Sequence, residues 1–131
     1  MPSKLFPNIS RPGEYVALVT FTVSTNEGPG YVFMGCDGFI KFSYFICVER
    51  DDSPESIIKA VYLLTENKDF VKYMSEGFTL VLDRWEELSD RLEVVVTAVN
   101  GKILYDKDFH KEISEDMVKS FNNYLENGPP R

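Results

Sequence analysis

The chain has 131 residues, 44% of them hydrophobic and 27% charged, which predicts a single domain over 1–131 built on one core. Aromatic residues reach 14%, so a disordered or low-complexity chain is excluded. With 14 basic and 21 acidic side chains the net charge is -7, a balance that repels phosphate backbones and argues against nucleic acid as a partner.

Residues 1–13, carrying Pro2, Pro7, Pro12 and Gly13, read as an irregular lead-in with no apolar stretch of the kind that forms a secretory leader. The most apolar window, Tyr31 to Val48, is interrupted by Gly35, Asp37, Gly38 and Lys41. A membrane-spanning helix needs about 20 apolar residues in succession. The expectation is therefore a soluble, cytoplasmic protein with no membrane association. Cys36 and Cys47 are too few for a disulfide framework and have no metal-ligand spacing. On opposite arms of a hairpin turning at Asp37-Gly38 they would stand about 25 Å apart, beyond disulfide reach. Free thiols fit a reducing compartment.

Glu14 to Val23 is rich in β-branched and aromatic residues and predicts a strand, followed by a loop over Ser24–Gly30. Tyr31–Cys36 and Phe39–Glu49 flank Asp37-Gly38, a two-residue signal for a type I′ hairpin. That turn would pair Phe33 with Phe42, Tyr31 with Tyr44 and Gly35 with Ile40. A helix then starts after Arg50-Asp51-Asp52, capped by Asp52 or Ser53, with Pro54 in its first turn. Ile57, Ile58, Val61 and Leu64 give it a buried stripe. Asn67 ends it, and Asp69–Glu76 reads as a shorter helix stopped by Gly77.

The second half reads on the same plan. Phe78–Trp85 is a strand, Glu86–Asp90 a polar loop, and Leu92–Val99 and Lys102–Phe109 form a hairpin about Asn100-Gly101. A last helix runs from a Ser114 cap through Met117, Val118, Phe121 and Leu125, with Ile113 and Val118 as a staple, to a stop at Gly128-Pro129-Pro130. The predicted fold is α+β: about six antiparallel strands in two βββα units, helices packed on one face, with a pseudo-repeat of 14–76 in 77–127. Val32, Met34, Phe39, Val95, Val99 and Leu104 would then point away from the helices, as an interface or as stacked sheets.

No motif names a reaction. His110 is the only histidine, so a Ser-His-Asp or Cys-His system has no other base to draw on. Asp106, Asp108, His110 and Glu112 alternate along the expected strand. Neighbours two apart lie roughly 7 Å from each other, so Asp108 and His110 make only a weak metal candidate. Gly28-Pro29-Gly30 lacks the lysine and following helix of a phosphate-binding loop. No cofactor and no catalytic residue are assigned.

Residues 1–48 are neutral, with three acids and three bases, so residues 49–131 carry the whole charge of -7. Carboxylates before the first helix serve its N-terminus. The second cluster has no such explanation: Asp83, Glu86, Glu87, Asp90 and Glu93 surround Trp85 and Leu88, and a tryptophan with an acidic rim fits a binding hot spot for a basic partner. The expectation is a non-enzymatic, acidic protein-binding module, an immunity- or antitoxin-type inhibitor of a basic partner such as a toxin nuclease. The alternatives are a self-associating subunit, such as a homodimer, and a small-ligand domain lined by Tyr31, Phe33, Phe42 and Tyr44.

Overall fold

A computed structural model describes residues 8–127. The expected lead-in residues Pro2 and Pro7 and the Gly128-Pro129-Pro130 stop lie outside the described residues, as does the side chain of Leu125. Three strands come first: β1 (Tyr15–Thr25), β2 (Gly28–Asp37) and β3 (Ser43–Glu49). Two helices follow, α1 (Pro54–Thr65) and α2 (Lys68–Met74), then β4 (Phe78–Leu82). A 3-10 turn (Glu86–Leu88) leads into α3 (Ser89–Thr97), then β5 (Gly101–Tyr105) and the long α4 (Lys107–Asn127).

The sheet has five described strands in the order β3-β2-β1-β4-β5. β1 and β3 run antiparallel to β2, whereas β4 is parallel to both β1 and β5. The fold is thus α+β with a mixed sheet, and two expectations need correction. The sheet has five strands rather than six, and it is not purely antiparallel.

Alternation along the strands explains where the helices go. Val16 and Leu18 of β1, Phe33 of β2, and Leu80 and Leu82 of β4 face one side, packing with Ile57, Val61 and Leu64 of α1, Phe70 of α2, and Leu92 and Val96 of α3. Ala17 and Val19, Val32 and Met34, and Val81 face the other side, against Phe109 and Ile113 of α4. Helices therefore cover both faces rather than one. Val32 and Met34, expected to lie outermost, are sealed under α4, while Phe39 stays exposed. Phe33 and Tyr44 are packed core residues rather than the wall of a ligand cavity.

The β2–β3 connection departs from a two-residue hairpin because of one side chain. Asp37 is wholly buried. Its Oδ1 accepts from the Phe39 and Ile40 amides at 2.7 and 3.2 Å, and its Oδ2 accepts from the Gly13 amide at 2.6 Å and from the Tyr44 hydroxyl. Residues 38–42 fold over this carboxylate, so Phe33 pairs with Cys47 and Tyr31 with Glu49, five positions beyond the expected partners. Cys47 thereby comes opposite Phe33, on the strand next to Cys36, and both thiols are free. Gly13 approaches with φ +76, and a Cβ there would meet the Tyr73 Cβ at 2.5 Å.

Helix starts follow capping chemistry. Ser53 caps α1 and accepts from the Ser56 amide, as expected, with Pro54 in the first turn. Asn67 does more than end α1: its side chain caps α2, accepting from Asp69 and Phe70, while its amide donates to the Tyr44 carbonyl at 2.7 Å. Gly77, with φ +86, closes the turn after α2.

The second half is not a repeat of the first. Residues 89–97 are helical, with Leu92 and Val96 inward and Val94 70% exposed. Asn100-Gly101 joins a helix to a strand: Asn100 takes a left-handed φ of 69, and its side chain donates to the Met74 and Ser75 carbonyls. Asp106 caps α4, accepting from the Phe109 amide at 3.0 Å. Ser114 lies inside that helix rather than at its start, and Ile113 and Val118 belong to its buried flank rather than a staple.

No described helix is long and apolar enough to cross a membrane.

Replacing Asp37 by asparagine keeps the shape but removes the charge and turns a donor toward the donors it serves. Urea unfolding of Asp37→Asn is expected to show a loss of about 3 kcal/mol, the worth of hydrogen bonds to a buried charged group. A loss under about 1 kcal/mol would contradict the role given to this carboxylate.

Candidate functional site

In an open sheet, a crevice forms at the carboxyl ends of two adjacent strands whose onward connections leave in opposite directions. Here β1 continues to β2 on one side and β4 continues to β5 on the other. The switch point lies between β1 and β4. β4 ends at Leu82, whereas β1 runs on to Thr25, so the next residues, Asp83 and Arg84, stand beside the middle of β1.

A cleft of about 780 Å³ opens there, lined by Val19, Thr20 and Phe21 of β1, by Asp83 and Arg84, and by one flank of α4. The helix contributes Lys107, His110, Lys111, Ser114, Glu115, Val118 and Lys119, at the three- and four-residue spacing that puts side chains on one flank. Arg84, Lys107, Lys111 and Lys119 outnumber the carboxylates Asp83 and Glu115. In a chain of net charge -7 this is a local reversal of sign.

The contacts within the cleft are specific. Arg84 grips Asp83 with two parallel hydrogen bonds, Nε to Oδ1 at 3.0 Å and Nη2 to Oδ2 at 2.9 Å. The guanidinium also lies 5.7 Å from the centre of the Trp85 ring, a cation–π distance. His110 is 6% exposed, and its Nε2 lies 2.7 Å from the Leu18 carbonyl oxygen. A carbonyl only accepts, so Nε2 carries the proton. The same nitrogen is 3.9 Å from Asp83 Oδ1. Ser114 donates to the His110 carbonyl at 2.7 Å. The Thr20 hydroxyl oxygen is buried without a hydrogen-bond partner.

Burial acts to raise the Asp83 carboxyl, but its bonds to the Arg84 guanidinium and the nearness of His110 outweigh it and hold the group below its ordinary range. Arg84 is correspondingly raised, chiefly by its bond to Asp83. Neither cysteine is activated. Burial pushes the Cys36 thiol up to about 12 and raises Cys47 as well.

The residues singled out from the sequence separate into three groups. Asp83 belongs to the cleft. Trp85 and Leu88 do not form a partner-binding face: Trp85 is 7% exposed and stacks on Phe33 at 6.4 Å, and Leu88 packs in the same core. Trp85 turns inward because its backbone takes a left-handed φ of 72 as the chain leaves β4. Glu86, Glu87, Asp90 and Glu93 are exposed on the 3-10 turn and α3. Glu86, Glu93 and Glu87, with the larger effect of burial, raise the Tyr105 phenol, so these three carboxylates gather on the α3 side of β5.

Asp108 and His110 are also parted. On a strand they would share a face, but on α4 Asp108 is exposed and His110 is buried toward the sheet. Among the described residues no group of three His, Cys, Asp or Glu side chains is arranged to hold a metal ion. The sequence reading missed Thr20, Arg84, Lys107, Lys111, Ser114 and Lys119 as a set. The one signal available was the helical period of Lys107, Lys111, Ser114, Val118 with Phe109, Ile113, Met117 and Phe121 on the adjoining flank.

No family model matches the chain, and no curated protein matches it. Solved structures do. The catalytic core domain of HTLV-2 integrase, in complex with magnesium in its trimeric form, superposes with a TM-score of 0.60 at 10% identity, over 92% of this chain and 77% of that one. Its dimeric form gives 0.57 at 10% identity, over 90% and 77%. A chain of the simian T-cell lymphotropic virus intasome, in complex with the PP2A regulatory subunit B56 gamma, gives 0.67 at 8% identity. That match takes in all of this chain and about half of the other, 48%.

The likeness is one of fold. It corrects the expectation of a non-enzymatic module: the lack of a sequence motif had pointed away from catalysis, yet the integrase domains that superpose on this chain are catalytic cores.

Two measurements check this picture. Trp85→Ala should lose about 3–5 kcal/mol of stability in chemical unfolding, the cost of deleting a buried aromatic. A surface residue would lose almost nothing. Asp83 contributes stability that is complete above its ordinary pKa of 3.8 and fades as pH falls through its lower folded value. The stability gap between the wild type and Asp83→Asn should therefore hold near neutrality and close on acidification below that ordinary value. A gap independent of pH would remove the charge pairing.

Proposed function

We propose that the cleft between β1, β4 and α4 binds a phosphate-bearing ligand, and that this recognition is the working function of the chain. The observation that carries the reading is the set of four cations, Arg84, Lys107, Lys111 and Lys119, collected at the switch point of an otherwise acidic molecule. Arg84 is suited to it. Two of its donors hold Asp83, and a guanidinium has five N–H groups, so three remain for phosphate oxygens. The scaffold likeness to integrase catalytic cores supports a phosphoester as the ligand class. The surrounding acids favour a compact ligand or a strand end over a long duplex, whose phosphates they would repel.

The integrase cores above hold magnesium, and the residues of this cleft do not fit that ion. Magnesium takes an octahedron of oxygens, commonly one or two carboxylates with waters and substrate. Asp83 has both oxygens on Arg84, and Glu115 lies 3.8 Å from Lys119 and 4.0 Å from Lys111. The remaining lining groups are cationic, hydroxyl-bearing or apolar, apart from a histidine whose Nε2 faces a carbonyl.

A second reading rests on a separate surface. Exposed Glu86, Glu87, Asp90 and Glu93, with only Arg91 interspersed, support docking of a basic protein, of the kind an immunity or antitoxin protein would neutralise.

Titration with inorganic phosphate, followed by backbone amide NMR, is expected to shift Asp83, Arg84 and the first half of α4. The double variant Arg84→Gln, Lys111→Gln should bind at least about tenfold more weakly, from the loss of charge-assisted hydrogen bonds. Lys102→Gln, at the opposite end of the sheet, should bind as the wild type does. Shifts absent from the cleft would overturn the proposal.

A further inference from the structure

Building on the phosphate reading, we infer that this cleft recognises its ligand without a divalent cation, because Arg84 and the α4 lysines stand where a metal-dependent site would need free carboxylates. The geometry has three parts. First, the cleft carboxylate at the end of β4 is already neutralised: the fork of Arg84 takes both Asp83 oxygens, and His110 approaches one of them from the sheet side at 3.9 Å. A hard cation using Asp83 would have to share it with a bidentate guanidinium that itself lies over the Trp85 ring, and the two positive charges would repel.

Second, the neighbouring positions supply no replacement donor set. β1 offers the Thr20 hydroxyl, a neutral oxygen that is buried and unpartnered. The sheet-facing positions of α4 offer His110 and Ser114, the first bonded to the Leu18 carbonyl and the second to the His110 carbonyl. The remaining carboxylate, Glu115, sits between Lys111 and Lys119 on the exposed flank.

Third, the charge is already of the sign a phosphate needs. Magnesium bridges phosphates to carboxylates because both are anionic. Where the protein itself presents an arginine and three lysines, the anion meets cations directly and a bridging ion would be repelled. Arg84 then serves two ends at once. Its Nε and Nη2 hold Asp83, which orients the group and leaves its other N–H bonds for the ligand. Asp83 is a positioning residue in this arrangement. It sets the plane of the guanidinium and does not itself meet the phosphate.

Two titrations with separate readouts test the inference. In the first, Mn²⁺, a paramagnetic stand-in for magnesium, is titrated with the protein alone and the free ion is counted by electron paramagnetic resonance. The expected result is a spectrum unchanged by wild-type protein. Loss of free-ion signal that is reversed by Asp83→Asn would overturn the inference whatever phosphate does. In the second, inorganic phosphate is titrated in EDTA and again in excess Mg²⁺. Equal dissociation constants are expected, with Arg84→Gln weakening binding about tenfold in both buffers and Asp83→Asn weakening it less.

Phosphate binding that needs Mg²⁺ would overturn the metal-free claim and leave the phosphate reading standing. Absence of phosphate binding in both buffers would overturn the phosphate reading, and with it a cation-built anion site; the Mn²⁺ titration would still show whether Asp83 is closed to metal.

Discussion

A single buried carboxylate ties the approach to β1 to the connection between β2 and β3. Asp37 holds the Gly13 amide, and the Gly38 amide next to it donates to the Tyr15 carbonyl at 2.9 Å, so the start of β1 is fastened to the end of β2. One residue before Tyr15, the Glu14 carbonyl accepts from the Thr79 amide at 2.8 Å, which begins the parallel pairing of β1 with β4. That pairing sets which part of β1 stands beside Asp83 and Arg84 as they leave the sheet. The geometry of the cleft is thus inherited from a carboxylate at the opposite end of the strands. Tyr44, whose phenol is pushed up by burial and by the same Asp37, extends the link to Phe70 of α2.

Much of the first half was legible because its signals are local. A run of β-branched and aromatic residues makes β1, Ser53-Pro54 starts α1, and Gly77 stops the chain after α2. The register of β3 was not legible. The Asp-Gly pair reads as a tight turn only if the aspartate faces water, and here its side chain is turned inward to gather amides from 13, 39 and 40. A dipeptide cannot announce that.

The second half failed for the opposite reason: local propensity was strong and tertiary packing overrode it. Val94, Val95 and Val96 favour a strand, yet Leu92 and Val96, four apart, are the positions that reach the core, and Val94 lies in solvent. Asp106 offered an N-cap and Phe109, Ile113, Met117 and Phe121 a helical stripe, but alternating charges over 106–112 imitated a strand edge. Of the site, only Asp83 and His110 stood out in the sequence. Arg84 adjoins Asp83, but the other cleft residues come from β1 and α4, far from it along the chain, and only the switch of strand order brings them to one place.

Trp85 occupies a boundary. One face of the indole rests on Phe33 in the core, and the Arg84 guanidinium lies over the ring from the cleft side. It is also the sole indole in the chain. The molecule consequently carries its own optical gauge: a charge that slides relative to an aromatic ring alters the light that ring emits, so whatever draws the guanidinium away leaves a trace in intrinsic fluorescence with no label attached.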